Sequence, residues 1–125
     1  MNKGGEMHWE IKKMIVCPES GTAYAVATTP GDLDIIVWYK GSYFLRPGNT
    51  LTTSDLGLFV NGRPRDIKLI SCFPYSRSLW LYYKVRSACP GNNNELLSHC
   101  NDTDHCQFEY CPYGVPLCHQ RRELE

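Results

Sequence analysis

The sequence lacks the features that define several large classes of protein. It contains no apolar run near the roughly 20 residues that a membrane helix needs, so we predict no membrane insertion. It has no excess of charge either, because 13 Lys and Arg balance 13 Asp and Glu. A balanced charge argues against a histone-like nucleic-acid binder and against a basic protein of the membrane surface.

Familiar catalytic and phosphate-binding motifs are also missing. The chain has no Gly-x-Ser-x-Gly, no His-Glu-x-x-His and no Gly-x-x-x-x-Gly-Lys-Ser/Thr. No pair of acidic residues stands out from ordinary surface charge in the way that a glycosidase would require. We therefore predict that the protein is not an enzyme, has no catalytic residues and carries no cofactor.

The neutral total hides two parts of opposite charge within 125 residues, a length that suits one domain. Residues 1–88 contain 11 Lys and Arg against seven Asp and Glu, a net charge of +4. Residues 89–119 contain four acidic residues and no Lys or Arg, a net charge of −4. We predict a β domain over 1–88 and a cysteine- and histidine-rich extension over 89–125 that packs on it, the two forming one structural unit.

Short stretches of alternating or continuous apolar residues fill the first part of the chain. Leu33–Tyr39 is apolar on both faces, which is typical of a strand covered on both sides. Asn61-Gly62 predicts a tight hairpin turn with positive φ at both residues. The predicted strands are Ile11–Cys17, Thr22–Thr28, Leu33–Tyr39, Tyr43–Arg46, Leu56–Val60, Asp66–Phe73 and Leu79–Val85.

This strand pattern predicts an all-β fold, a small sandwich or barrel of six to seven short antiparallel strands, followed by a loop-like cysteine-rich extension. In Asp66–Phe73, Ile67, Leu69 and Phe73 are expected on one face. In Leu79–Val85, strand periodicity turns Trp80, Tyr82 and Lys84 outward. No helix is predicted in residues 1–88.

Seven cysteines are an odd number, so complete pairing within one molecule is excluded. We predict three disulfides, with the remaining cysteine able to form an intermolecular one. Asn101-Asp102-Thr103 is a sequon, which makes Asn101 a candidate glycosylation site. The disulfide candidates are Cys17, Cys72, Cys89, Cys100, Cys106, Cys111 and Cys118.

These features favour a secreted or lumenal protein, located outside the cell or in the secretory pathway. The polar start, Met1 to Glu6, fits a mature ectodomain whose signal was removed as well as a cytosolic chain. The alternative is a cytoplasmic or nuclear regulatory protein whose tail binds zinc, since thiolate and imidazole suit Zn²⁺. The candidate zinc ligands are Cys100, His105, Cys106, Cys111, Cys118 and His119.

The main functional prediction is a disulfide-stabilised module that binds another protein. Tyr, Trp and Arg are the residue types that dominate protein interfaces, and the contact is expected on an aromatic and basic sheet face or on the tail. A third interpretation is a single-stranded nucleic-acid binder, because such a face can also stack bases. The candidate partner-binding residues are Arg63, Arg65, Trp80, Tyr82 and Lys84.

Overall fold

The computed structural model describes residues 7–87, 89–92, 106–108 and 111–113. Seven strands form one antiparallel sheet, and one α-helix follows them in this described part, so the all-β prediction is confirmed. The elements are β1 Met7–Cys17, β2 Thr22–Thr28, β3 Asp34–Gly41, β4 Thr50–Ser54, β5 Gly57–Val60, β6 Arg63–Pro64, β7 Ile67–Pro74, α1 Arg77–Arg86 and a 3₁₀ turn at Pro90–Asn92.

The sheet curls until its two edges come close together. Its strand order is β6-β5-β4-β1-β2-β3-β7, so the edge strands are β6 and β7. These edges are nevertheless consecutive in the chain, with only Arg65 and Asp66 between them. Three Cα–Cα steps span at most about 11 Å, so the end of β6 and the start of β7 lie within that distance. A flat sheet of seven strands would hold its edges about 29 Å apart, so this sheet is curled like an open barrel.

The central strands are buried on both faces, as the pattern of Leu33–Tyr39 predicted. Val37 and Tyr39 face an inner cluster with Leu45 and Leu51. Ile36, next to Val37 in the chain, belongs to a second cluster on the outer face of the sheet. We call these two clusters the inner core and the outer core.

The predicted strand Asp66–Phe73 exists as β7, but its apolar residues do not share one face. Ile67 and Leu69 pack on the inner core, whereas Phe73 packs on the outer core. The pairing of β3 with β7 shifts register between Trp38 and Tyr39. A bulge of this kind inserts one residue, and a shift of one residue exchanges the two faces of a strand.

The turn at Asn61-Gly62 is confirmed, with φ angles of 52° and 83°. It does not lead into β7, however, because the strand that pairs back on β5 is the two-residue β6. Tyr43–Arg46, predicted as a strand, is irregular, and Thr50–Ser54 forms β4, which was not predicted.

The largest error concerns Leu79–Val85, which is helical and not a strand. Ser76 caps α1 by accepting a hydrogen bond from the Leu79 N–H at 3.0 Å. Helical periodicity turns Trp80 inward, where it is 4% exposed in the outer core. Tyr83 stacks on Tyr24 of β2, with ring centroids 4.5 Å apart, and so fixes the helix on the sheet.

The described part of the tail makes specific contacts with the β domain. The Asn92 Oδ1 accepts from the Val16 N–H, and its Nδ2 donates to the Val16 carbonyl, both at 2.9 Å. The Gln107 N–H donates to the Pro18 carbonyl at 2.7 Å, and Phe108 is buried in the inner core. These contacts agree with an extension that packs on the sheet, although the predicted boundary at residue 88 stays a prediction.

Tyr39 provides a test of the inner core. Its ring is 0% exposed, and its hydroxyl accepts the Leu45 N–H at 2.7 Å. Burial raises the pKa of Tyr39 above its usual range. Tyr39→Phe leaves that N–H without a partner, so we expect a loss of about 1–3 kcal/mol in the free energy of unfolding, measured by urea titration. Tyr82→Phe, on the exposed side of α1, is the control; equal losses from the two variants would contradict a role for this bond.

Candidate protein-binding surfaces

The outward side of α1 presents apolar groups to solvent, and we call Leu81, Tyr82, Lys84, Val85 and Arg86 the helix surface. Leu81 is 45% exposed, Tyr82 53% and Val85 80%. Leu81 and Val85 are four residues apart and therefore lie side by side on the helix. The Arg86 guanidinium lies 5.2 Å from the centre of the Tyr82 ring, a cation–π contact that orders this tyrosine.

The helix surface is also basic. The ten residues of α1 include Arg77, Lys84 and Arg86 and no acidic residue. Because Lys84 and Arg86 are in the last turn, their charges favour the negative end of the helix dipole. An exposed apolar strip with a basic border is a surface that suits the apolar and acidic surface of another protein.

A second group of cations lies where β3 ends and β7 begins, and we call Lys40, Arg63, Arg65 and Lys68 the basic end. All four side chains are exposed. Lys40 and Lys68 are direct partners in the β3–β7 pairing, and the Arg65 guanidinium lies 4.8 Å from the centre of the Tyr43 ring. Among the described residues, none of these four cations forms an ion pair.

The structure separates the predicted partner-binding residues. Tyr82 and Lys84 are on the helix surface, and Arg63 and Arg65 are at the basic end. Trp80 was expected to face outward and is instead buried beneath α1, because a helical period turns it toward the sheet. The predicted sheet face therefore loses Trp80 and Tyr82, the two aromatic residues expected to face outward in the predicted strand Leu79–Val85, to a helix. The signal that could have revealed the helix is Ser76, a capping residue three positions before Leu79.

A polar cleft of about 540 Å³ lies between the start of β1 and the β2–β3 loop. Trp9, Glu10 and Asp32 are among its lining residues. Glu10 is paired with Lys12 at 3.2 Å. No feature of the sequence had singled out this cleft.

The predicted disulfide cysteines are distributed over separate parts of the fold. Cys17, at the end of β1, and Cys72, in β7, are free thiols, and Cys111 is also a free thiol. Partial burial raises the pKa of the Cys72 thiol. Cys89 and Cys106 pack against the inner core. Cys100 and Cys118 lie outside the described residues.

The structure describes two of the six candidate zinc ligands, Cys106 and Cys111. The other four, Cys100, His105, Cys118 and His119, lie outside the described residues. Within the described ranges, no group of three or more His, Cys, Asp or Glu side chains is arranged to hold a metal ion. The described ranges also contain no helix long and apolar enough to cross a bilayer.

Comparison with known proteins gives close relatives. The chain is 43% identical over 109 residues to the anti-adapter protein IraM of Citrobacter koseri, an alignment that covers 87% of this chain and 96% of the relative. The IraM proteins of Shigella dysenteriae and Escherichia coli are 27% and 25% identical over alignments that cover 87% of this chain and 99% and 96% of the relatives. The prediction that the partner is another protein is confirmed by these relatives.

A solved structure supports the fold. The crystal structure of E. coli PmrD matches with a TM-score of 0.57 and 20% identity, and the match covers 66% of this chain and all of that one. At this identity the similarity applies to the β fold alone.

The relatives also overturn the predicted location. An extracellular or lumenal, disulfide-stabilised glycoprotein is wrong, because the relatives are intracellular anti-adapter proteins of bacteria and the described Cys17, Cys72 and Cys111 are free thiols. Asn101, the candidate glycosylation site, lies outside the described residues, and its assignment depended on secretion. The regulatory part of the alternative prediction agrees better with the relatives.

The family model that matches this chain is described as PmrD: IraM/PmrD family, and it matches residues 7–81. That range contains all seven strands and the first half of α1. Together with the 43% identity to the Citrobacter koseri protein, the match establishes that the chain belongs to the IraM/PmrD family.

Proposed function

We propose that this protein is an anti-adapter, which binds an adapter protein of its own cell and so prevents that adapter from acting. The observation that carries the proposal is the 43% identity to an anti-adapter over 96% of that relative's length. Such a function requires a surface of the right shape and charge. It requires neither a catalytic group nor a bound cofactor.

The helix surface supplies the contact in this proposal. Buried aliphatic and aromatic groups contribute most to protein interfaces, and here Leu81, Tyr82 and Val85 are exposed although the opposite side of the same helix is already packed on the outer core. Their exposure is therefore not needed to hold the helix in place. Lys84 and Arg86 border this apolar strip, so the matching surface of the adapter is apolar with acidic residues around it.

A competition experiment tests the proposal. The probe is the adapter that the Citrobacter koseri relative blocks, immobilised and loaded with that relative. We expect this chain to displace the relative in proportion to its concentration and to bind the bare adapter directly. Failure of the folded chain both to bind and to displace would contradict the proposed function.

A paired substitution tests the helix surface. We expect Leu81→Gln with Val85→Gln to weaken binding to the same adapter at least about tenfold, because two aliphatic groups no longer transfer from water into the interface. Glutamine is compatible with a helix, so the free energy of unfolding should stay within about 0.5 kcal/mol. Calorimetric titration gives the affinity and urea titration the stability.

Leu56→Gln is the matched control. Leu56 is 87% exposed in the turn between β4 and β5, so this substitution also removes an exposed leucine but away from α1. Binding by the control should equal that of the unsubstituted chain. An equal affinity for the control and for the α1 variant would remove the helix surface from the proposal.

A further inference from the structure

We infer that the basic end is a second contact of the same interface and binds a cluster of carboxylates on the adapter protein. The inference rests on the proposed function and adds the chemistry of the partner. It depends on three features of Lys40, Arg63, Arg65 and Lys68: an unfavourable charge pair, a fixed scaffold and a position next to the helix surface.

Lys40 and Lys68 oppose each other directly across β3 and β7. Like charges in this arrangement destabilise a sheet. In the described part of the chain no carboxylate pairs with either of them. Within the described residues, nothing offsets the repulsion between the two ammonium groups, whereas an acidic ligand placed between them would relieve it.

The backbone beneath the basic end is held tightly. The Ser42 and Tyr43 N–H groups both donate to the Asp66 carbonyl, at 3.1 and 3.4 Å, and the Asp66 carboxylate accepts from the Ser42 N–H at 3.0 Å. One oxygen of the Asp66 carboxylate, the acidic group among these cations, is therefore engaged by the backbone. Arg65 is held against the Tyr43 ring, so less side-chain freedom is lost when its guanidinium binds a carboxylate.

The basic end and the end of α1 lie at the same level of the sheet. Val16 pairs with Ala23, Ala23 with Tyr39, and Tyr39 with Leu69. Asn92, which follows α1, bonds to Val16 at one end of this row, while Lys40 and Lys68 are next to the other end. Three strand spacings amount to about 14 Å, a distance that a protein interface of ordinary size spans easily.

The experiment compares two variants with the same change in total charge. Arg65→Glu with Lys68→Glu reverses two charges of the basic end. Lys12→Glu with Lys13→Glu reverses two exposed charges of β1 near its pairing with Val26, toward the other end of the sheet. Because this control also replaces the Lys12–Glu10 ion pair by a like-charge pair, its folding is checked by the same urea titration. The probe is again the adapter blocked by the Citrobacter koseri relative. Association rates are measured at low and at high salt, and stability is measured by urea titration.

We expect the Arg65→Glu and Lys68→Glu variant to associate about tenfold more slowly than the control variant at low salt, with the difference falling at high salt. Its stability should be nearly unchanged, because Lys68→Glu places a carboxylate opposite Lys40 and so replaces a repulsive pair by an attractive one, which offsets the loss of the contact between Arg65 and Tyr43. A merely structural role would lower stability and binding together.

Rescue by a conservative change adds a second readout. Arg63→Lys with Arg65→Lys keeps the charge and should retain most of the association rate. Equal association by the charge-reversed variant and its control would overturn this inference and leave the proposed function standing. No binding by the unsubstituted chain would overturn both.

Discussion

We expect Trp80→Ala to lower the free energy of unfolding by about 3–5 kcal/mol. The indole is 4% exposed and fills the space between α1 and the outer core residues Ile15, Val26 and Ile36. Its removal leaves a cavity that the sheet, whose other face is also packed, has little freedom to close. Urea titration followed by tyrosine fluorescence and circular dichroism gives the loss of stability.

Tyr82→Ala is the control for Trp80→Ala, because Tyr82 lies two residues further along α1 and is 53% exposed. Its free energy of unfolding should change by less than about 1 kcal/mol, while its binding to the adapter should weaken. A stable Trp80→Ala protein would mean that the helix does not pack on the sheet as described.

Gly41→Ala should be almost as damaging, with an expected loss of about 3 kcal/mol or more in the free energy of unfolding. Gly41 has a φ of +136°, a conformation that side chains disfavour, and a Cβ at this position would overlap the Asp66 carbonyl. That carbonyl accepts the hydrogen bonds from Ser42 and Tyr43. The β3 end and the β6–β7 link would have to separate, which also loosens the basic end.

Substitutions of two other glycines distinguish the effect of backbone strain from the effect of the overlap with Asp66. Gly57 has a φ of +123° but open space around it, whereas Gly31 carries no such strain and its Cβ would meet only the Thr29 hydroxyl at 3.8 Å. We expect Gly57→Ala to cost about 1–2 kcal/mol through backbone strain alone and Gly31→Ala to change stability by less than about 1 kcal/mol. Equal losses from Gly41→Ala and Gly57→Ala would show that the overlap with Asp66 is unimportant.

The sequence predicts those parts of the fold that local chemistry determines. Continuous apolar residues in Leu33–Tyr39 indicate a strand covered on both sides. Asn61-Gly62 indicates a tight turn, because both residues tolerate positive φ angles. The split of Ile67 and Leu69 from Phe73 depends on a bulge opposite Trp38 and Tyr39. A bulge is fixed by the packing of two strands and leaves no mark on either sequence segment alone.

The helix was missed because its residues also satisfy a period of two. Leu79, Leu81, Tyr83 and Val85 alternate with more polar neighbours, yet Leu81 and Val85 prove to be exposed. A helix is recognised in a sequence when its apolar residues lie on one buried side. The exposed Leu81 and Val85 break that pattern, and the same two residues form the proposed contact with the partner. The disulfide prediction failed because a sequence does not distinguish a cysteine that packs as a small apolar thiol from one that forms a disulfide.

Asn92 also covers part of the β1 edge that β4 leaves open. β4 pairs with β1 only as far as Glu10, and no other described strand pairs with the rest of that β1 edge. Gly48 and Asn49 bond to Ile11, and the Asn92 amide meets both backbone groups of Val16 as a single peptide unit of a strand would. An uncovered edge invites a strand from another molecule. One side chain from the tail thus occupies the backbone groups of Val16 with which such a strand would pair.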